Sequence, residues 1–309
     1  MLTDLQIEKE KNFEYGANIH QIGQMYKAQS PVEYAVLTDE ELSYTDILDL
    51  KTGLDLASEF YDVKATVVVK YAMACAVALG ADIFEACQKS FDTDPVSILD
   101  SCVVFSDVVD ENVATLVKKM AFNIVAAPEF SQKALDILVN VEGLKVVKIN
   151  TPLEKYRKLE NYEITSTPMG ILVQSQDRKE LDKDSFRVVS ATKPTAEQIE
   201  DAVFAWKVAK HCKTQAVVIA KDFKTLAICQ GNVNQACAFE QALDYACNDS
   251  KEGVLAIDTD LGSIESVHAA VQGRVSLIIQ SGCCNEAVIK CVDKYNLVMI
   301  NTGITHIKY

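Results

Sequence analysis

The sequence predicts an α/β protein, and three observations carry that. Short β-branched runs alternate with helical-period runs through residues 66–149. The same alternation returns through residues 195–300. At 309 residues the chain can bury a large core, enough for two lobes. The first lobe is placed at 1–150, a linker with a connecting strand at 151–185, and the second lobe at 186–309.

In the first lobe, 66–70 is short and β-branched and reads as a strand. Residues 82–90 read as a helix, 102–105 as a strand, and 111–122 and 132–140 as helices with apolar residues at helical spacing. A strand at 144–149 closes the lobe. Residues 151–185 are looser, with Pro152, Pro168 and a charged run at 177–184, and hold one apolar strand at 170–174. In the second lobe, 195–211 reads as one long helix. Thr195 is its N-cap, Gln198 completes a capping box, and Val203, Phe204, Trp206, Val208 and Ala209 form its apolar face. Strands at 216–220 and 225–228 follow. Next come a helix at 234–247, a strand at 254–257, a helix at 263–272, a strand at 276–280, a helix at 285–295 and a strand at 297–300.

Composition narrows the function. Apolar residues make up 49% of the chain, and the formal charge is −14. That charge argues against a nucleic-acid backbone or an anionic membrane as partner. A phosphate could still be held by a local nest of backbone N–H groups. No run approaches the ~20 apolar residues of a spanning helix, and residues 1–12 are polar, so a cytoplasmic location is expected. Ten cysteines stand singly apart from Cys283-Cys284, and there are four histidines. No Cys-x-x-Cys is present, so reduced core thiols and no zinc are expected. Adjacent Cys283 and Cys284 read as small residues in a tight turn, since neighbours rarely meet disulfide geometry.

Several short runs share their order with a known family. Glu14-Tyr15-Gly16-Ala17-Asn18-Ile19-His20-Gln21 and Leu42-Ser43-Tyr44 open the series. Asp94 to Ser97, residues 170–174, Pro194-Thr195, Phe204-Ala205-Trp206-Lys207, residues 278–282 and Thr302-Gly303 continue it. Together they resemble the formyltransferase domain of AICAR transformylase/IMP cyclohydrolase. The resemblance implies two cytidine-deaminase-like three-layer lobes, an obligate homodimer with sites at the subunit interface, and no metal. It implies formyl transfer from 10-formyltetrahydrofolate, as co-substrate and not as a resident cofactor, to the amine of AICAR. The expected ligand is a purine nucleotide or AICAR-like molecule. The cyclohydrolase domain that precedes this one in the family is expected to be missing.

Carried over position by position, the resemblance implies a catalytic pair at Lys70 and Tyr71. It implies substrate contacts at Tyr15, Gly16, Asn18, His20, Lys213, Gln215, Gly231, Asn232, Asp258, Gln280, Gly282 and His306. Several of these depart from the family pattern. Tyr71 stands where the family has a His, and a phenol of ordinary pKa about 10 is a poor base at neutral pH. Glu14 replaces a phosphate-binding Arg, and Gln215 replaces an Asn. The turn at 229–235 lacks its Arg, residues 258–263 lack the aromatic folate wall, and the tail at 305–309 lacks its Arg pair. Loss of the loop's Pro and Gly at 74 and 76 leaves 70–76 free to continue as a helix. Lys70 reads either as a catalytic amine or as a strand-end lysine reaching solvent. His20 reads as turn-fixing and His211 as structural. The changes together predict that formyl transfer is lost or redirected, with ligand binding or a regulatory role retained. The alternative is a working transformylase of de novo purine biosynthesis.

Overall fold

The computed structural model describes residues 8–182, 186–282 and 285–309. Among these residues the fold is mixed α/β around one twelve-stranded sheet. The half of this sheet built from the earlier part of the chain follows α1 (Tyr44–Ala57). It contains the hairpin β4 (Lys64–Lys70) and β5 (Met73–Gly80), then α2 (Ile83–Phe91), β6 (Cys102–Phe105), α3 (Glu111–Lys119), β7 (Ile124–Ala127), α4 (Gln132–Leu138) and β8 (Lys145–Ile149). The other half repeats that succession. It has α6 (Ala196–Lys210), the hairpin β12 (Val217–Lys221) and β13 (Lys224–Cys229), then α7 (Gln235–Ala246), β14 (Val254–Ile257), α8 (Ile264–Gln272), β15 (Leu277–Gln280), α9 (Glu286–Lys294) and β16 (Val298–Asn301). Edge strands β3 (Tyr34–Val36) and β11 (Arg187–Val188) cap the two ends.

The halves join where β13 meets β5, antiparallel, with Lys224 opposite Ala78. A side chain does part of the pairing there. Val77 N donates to Thr225 Oγ1 (2.9 Å), Thr225 Oγ1 donates to Val77 O (3.1 Å), and Leu79 N donates to Phe223 O (2.9 Å). Three layers result. One face is covered by α1 and α6 over a single shared core, in which Phe60 and Phe204 pack at 5.6 Å between ring centres. The opposite face carries two separate cores, one beneath α2–α4 and one beneath α7–α9.

Local sequence explains most elements. Ser43 caps α1 through a capping box with Asp46, and Thr195 does the same for α6 with Gln198. Asn234, Ser263 and Asn285 cap the three following helices. Helix α6 buries more than the predicted stripe. Ala202 and Ala205 are buried as well, while Val203 is only half-buried, because the helix is gripped by the sheet on one side and by Phe60 and Glu59 on another.

Two expectations are corrected. Residues 70–76 do not continue as a helix but turn at Tyr71-Ala72 into β5, and both turn residues have positive φ (56° and 57°). The matching turn Asp222-Phe223 has φ of 51° and 57°. Left-handed backbone costs an ordinary residue about 1–2 kcal/mol. Each turn is clamped from the preceding helix to offset this. Asp49 Oδ1 accepts from Ala72 N (2.5 Å), and Asp201 accepts from both Asp222 N (2.9 Å) and Phe223 N (2.8 Å). The second correction concerns 151–185. Beyond a connecting strand it holds the short helix α5 (Leu153–Arg157) and an exposed two-stranded arm, β9 (Tyr162–Thr167) with β10 (Gly170–Ser175), outside the main sheet. Near the start of the chain β1 (Lys9–Asn12) and β2 (Gln24–Tyr26) form another such arm. Among the described residues, no helix is long and apolar enough to cross a membrane. The adjacent Cys283 and Cys284 lie outside the described residues.

Candidate functional site

The two hairpins set the site. Because β13 runs antiparallel to β5, the far end of β13 comes back beside the Tyr71-Ala72 turn. Gln230, just past β13, ties the two regions together. Its Nε2 donates to Ala74 O (3.1 Å) and its Oε1 accepts from Lys213 N (3.1 Å). Gly231 N donates to Lys213 O (2.8 Å), and Gln215 N donates to Asn232 O (3.1 Å). Lys70, Tyr71, Lys213, Gln215, Gly231 and Asn232 are therefore drawn to one region. Lys70 Nζ donates to Leu99 O (2.6 Å) and stands 5.6 Å from the Tyr71 ring centre, and Tyr71 is 77% exposed.

The ends of the parallel strands supply the next wall. Asp258 follows β14 and is buried. Its Oδ1 accepts from Ala216 N (3.0 Å), and its Oδ2 has no partner. Burial pushes its carboxyl up, above the usual carboxylate range. Gln280, fully buried at the end of β15, accepts from Leu261 N and donates to Asn301 Oδ1 (2.7 Å). A Cβ at Gly282 would meet the Asp260 carboxylate, which would have to swing aside. Asp260 Oδ1 in turn accepts from Ser281 Oγ (2.7 Å). Between these strand ends and the starts of α7 and α8 lies a cleft of about 680 Å³, with Gln215, Gln235, Asp260, Glu265, Thr305 and Ile307 on its walls. The place is the crevice beyond the carboxyl ends of parallel strands, where α/β sheets hold ligands.

The tail closes one side. Thr214 N donates to Lys308 O (2.9 Å), and Lys308 N donates to Thr214 Oγ1 (3.0 Å). Thr305 and Ile307 face the cleft, whereas His306 points into the body. His306 Nδ1 lies 2.5 Å from Asp177 Oδ2, its ring is 5.6 Å from Trp206, and its Nε2 has no partner. Burial pushes Asp177 up, but the bond and charge of His306 outweigh it and hold the carboxyl below its usual range.

The opening loop is elsewhere. Gly16 N donates to Gln21 O (2.8 Å), and Asn18 Nδ2 donates to Gln21 Oε1 (2.8 Å), so the loop closes on itself. Phe13 packs edge-on to Tyr44 at 5.7 Å beside the start of α1. Tyr15 and His20 are exposed, and none of Tyr15, Gly16, Asn18 and His20 lines the cleft. Burial pushes the Cys212 thiol up to about 12 and the Cys75 thiol up to about 11, so neither is a ready thiolate.

Sequence reading missed a second polar cluster at the junction of the halves. Glu59 is buried, and it meets Arg157 Nη1 (2.5 Å), Lys210 Nζ (2.8 Å) and His211 Nε2 (3.1 Å). Burial pushes Glu59 up, but these partners outweigh it and keep the carboxylate ionised far below its usual range. His211 is pushed down by burial, against the pull of Glu59. The signal was available in hindsight: Lys207, Lys210 and His211 end a helix otherwise read as core. A depressed histidine favours the folded state above the ordinary pKa of about 6.5 and withdraws that support as pH falls. Depressed Glu59 and Asp55 act in the same direction at lower pH. Stability should therefore be lower at pH 5.5 than at 7.5 in urea denaturation, and equal values would contradict the assignment.

A family model described as AICARFT/IMPCHase bienzyme matches residues 2–245. Relatives named bifunctional purine biosynthesis protein PurH match nearly the whole chain. The one from Caldicellulosiruptor saccharolyticus is 38% identical over 98% of this chain and 60% of its own length. That of Thermoanaerobacter sp. strain X514 is 37% identical over 98% and 59%, and that of Bacillus mycoides 34% identical over 98% and 60%. The chain spans about 60% of the length of these curated relatives.

Proposed function

The chain belongs to the AICARFT/IMPCHase bienzyme family, and on that premise we propose that it is a transformylase-like ligand-binding protein whose formyl transfer from 10-formyltetrahydrofolate to AICAR is lost or redirected. One observation carries the reading: among the described residues, no imidazole accompanies Lys70. The residue beside it is the exposed phenol of Tyr71. His306 is buried against Asp177, His211 is held by Glu59, His268 packs on Tyr295, and His20 sits in the self-closed loop. A missing general base costs on the order of 10²–10⁴ in rate. A second departure supports the reading, since Glu14 lies exposed where the family pattern calls for a cation toward phosphate. The test is release of tetrahydrofolate by the purified protein.

The alternative, a working transformylase, is favoured by the 38% identity to a protein named for purine biosynthesis and by retention of Lys70.

We further propose a homodimer. The arm formed by β9 and β10 exposes Met169, Ile171, Leu172 and Val173, and a lone two-stranded hairpin is marginal in water. A largely apolar groove of about 980 Å³ runs past Met25, Val32, Leu50, Leu54 and Ile164. Light scattering at micromolar concentration should give twice the 34.0 kDa chain mass, with more than about 2,000 Å² buried in total. A single-chain mass would sink this.

A further inference from the structure

Two adjoining cavities at the junction of the halves share Glu59, Arg157 and Lys210 in their walls, and neither shares a residue with the cleft. The larger, about 530 Å³, lies between the end of α6 and the base of the β9–β10 arm. The smaller, about 160 Å³, lies against Trp206 and His306. At about 30 Å³ per water, the smaller one has room for a phosphate-sized group.

Unpartnered nitrogens gather here. Among the described residues, three buried side-chain nitrogens have no hydrogen-bond partner: Arg178 Nε, Trp206 Nε1 and His306 Nε2. Arg178 lines the larger cavity, and Trp206 and His306 line the smaller. Trp206 is 1% exposed and His306 2%, so water does not reach them from the surface. A guanidinium Nε and an indole Nε1 can only donate. His306 turns Nδ1 to Asp177, and its Nε2 donates when the ring is protonated. A buried donor without an acceptor costs free energy until something supplies an oxygen.

The charge of the walls agrees. Six basic residues line the two cavities, Arg157, Lys158, Arg178, Lys179, Lys207 and Lys210, against four carboxylates. That is a local reversal in a chain of formal charge −14. Two of the carboxylates are already matched. Glu59 is held by Arg157, Lys210 and His211, and Glu180 meets Arg157 Nε (3.1 Å). The other two, Asp62 and Glu160, are exposed.

We propose that these cavities form a second ligand site, which takes a phosphate group in the smaller one against Trp206 and His306. The larger cavity, with Arg178, Asn161 and Ser175 on its wall, receives the polar body of a phosphate monoester. The proposal uses no residue of the cleft, so its failure leaves the proposed function standing.

Trp206 is the single tryptophan of the chain and reports on the smaller cavity directly. The test titrates the full chain with inorganic phosphate and with ribose 5-phosphate, following tryptophan emission against sodium chloride of matched ionic strength. Both should give a saturable change that chloride does not. In calorimetry Trp206→Phe, which keeps a ring and removes the N–H, should weaken phosphate by roughly two- to tenfold. Lys179→Gln, at an exposed position where folding is not at stake, should weaken it measurably, less so as salt rises. Lys133→Gln, at a remote surface pair with Glu111, should change nothing. Ribose 5-phosphate should bind more tightly than phosphate, and Arg178→Gln should remove that advantage. Equal affinity of the two would identify the free anion as the occupant of the same site. No saturable change in emission, the same change with chloride, calorimetric binding with silent emission, or binding indifferent to both Trp206→Phe and Lys179→Gln would each overturn the proposal.

Discussion

Glu59→Ala should destabilise the protein by about 3–5 kcal/mol, the usual effect of leaving buried charges without their counterion. The substitution removes one carboxylate but strands several groups. Lys210, at 5% side-chain exposure, loses its carboxylate, His211 loses its acceptor, and Arg157 is left with Glu180 (3.1 Å) and the Ser58 carbonyl (3.3 Å). Lys210 keeps the bond to Lys179 O (3.1 Å), and Lys207 Nζ still reaches the Glu59 backbone carbonyl (2.8 Å). Because these partners come from α5 and α6 while Glu59 follows α1, the loss is felt across the junction of the halves. The denaturant midpoint should fall with little change in slope. Glu8→Ala, at a solvent-exposed pair with Lys27, should change stability by less than about 0.5 kcal/mol. A Glu59→Ala effect as small as the Glu8→Ala effect would show that the network contributes nothing to the fold.

Tyr71→His should raise formyl transfer by up to about 10²–10⁴-fold, the range attributed to a positioned general base. The side chain at 71 sits at a hairpin tip clamped by Asp49 and adjoining Lys70, so a histidine there arrives beside a retained cation without disturbing the core. Lys70→Ala should abolish whatever transfer exists, in the wild type or in the Tyr71→His background. Glu14→Arg should tighten AICAR at low salt, with the gain fading as salt rises. If none of the three substitutions alters rate or binding, the old site is not the working one.

How much of this could be read in the sequence depends on the kind of signal each part leaves. The helices that begin at Thr195, Asn234, Ser263 and Asn285 announce themselves by capping side chains, and their strands by apolar runs. The β4–β5 hairpin does not, because Tyr71-Ala72 lacks the Asn-Gly or Asp-Gly pattern that marks such turns, and its clamp, Asp49, is remote in sequence. Strand β7 is only four residues long, and α1, despite its capping box at Ser43, was hidden within a motif. The continuous sheet was also out of reach, since Thr225 and Val77 lie far apart in the chain and pair partly through a side chain. For the site, the grouping of Lys213, Gln215, Gly231 and Asn232 follows the motif order. The inward turn of His306 and the self-closure of the opening loop depend on tertiary partners, Asp177 and Gln21, that no local pattern reveals.

The central claim is that this scaffold keeps a ligand site while formyl transfer is lost or redirected. Its most direct test follows tetrahydrofolate release spectroscopically from purified protein with saturating AICAR and 10-formyltetrahydrofolate. The account predicts turnover far below the ~1–10³ s⁻¹ of ordinary metabolic enzymes. Turnover within that range, lost on Lys70→Ala, would contradict it and establish the working transformylase instead.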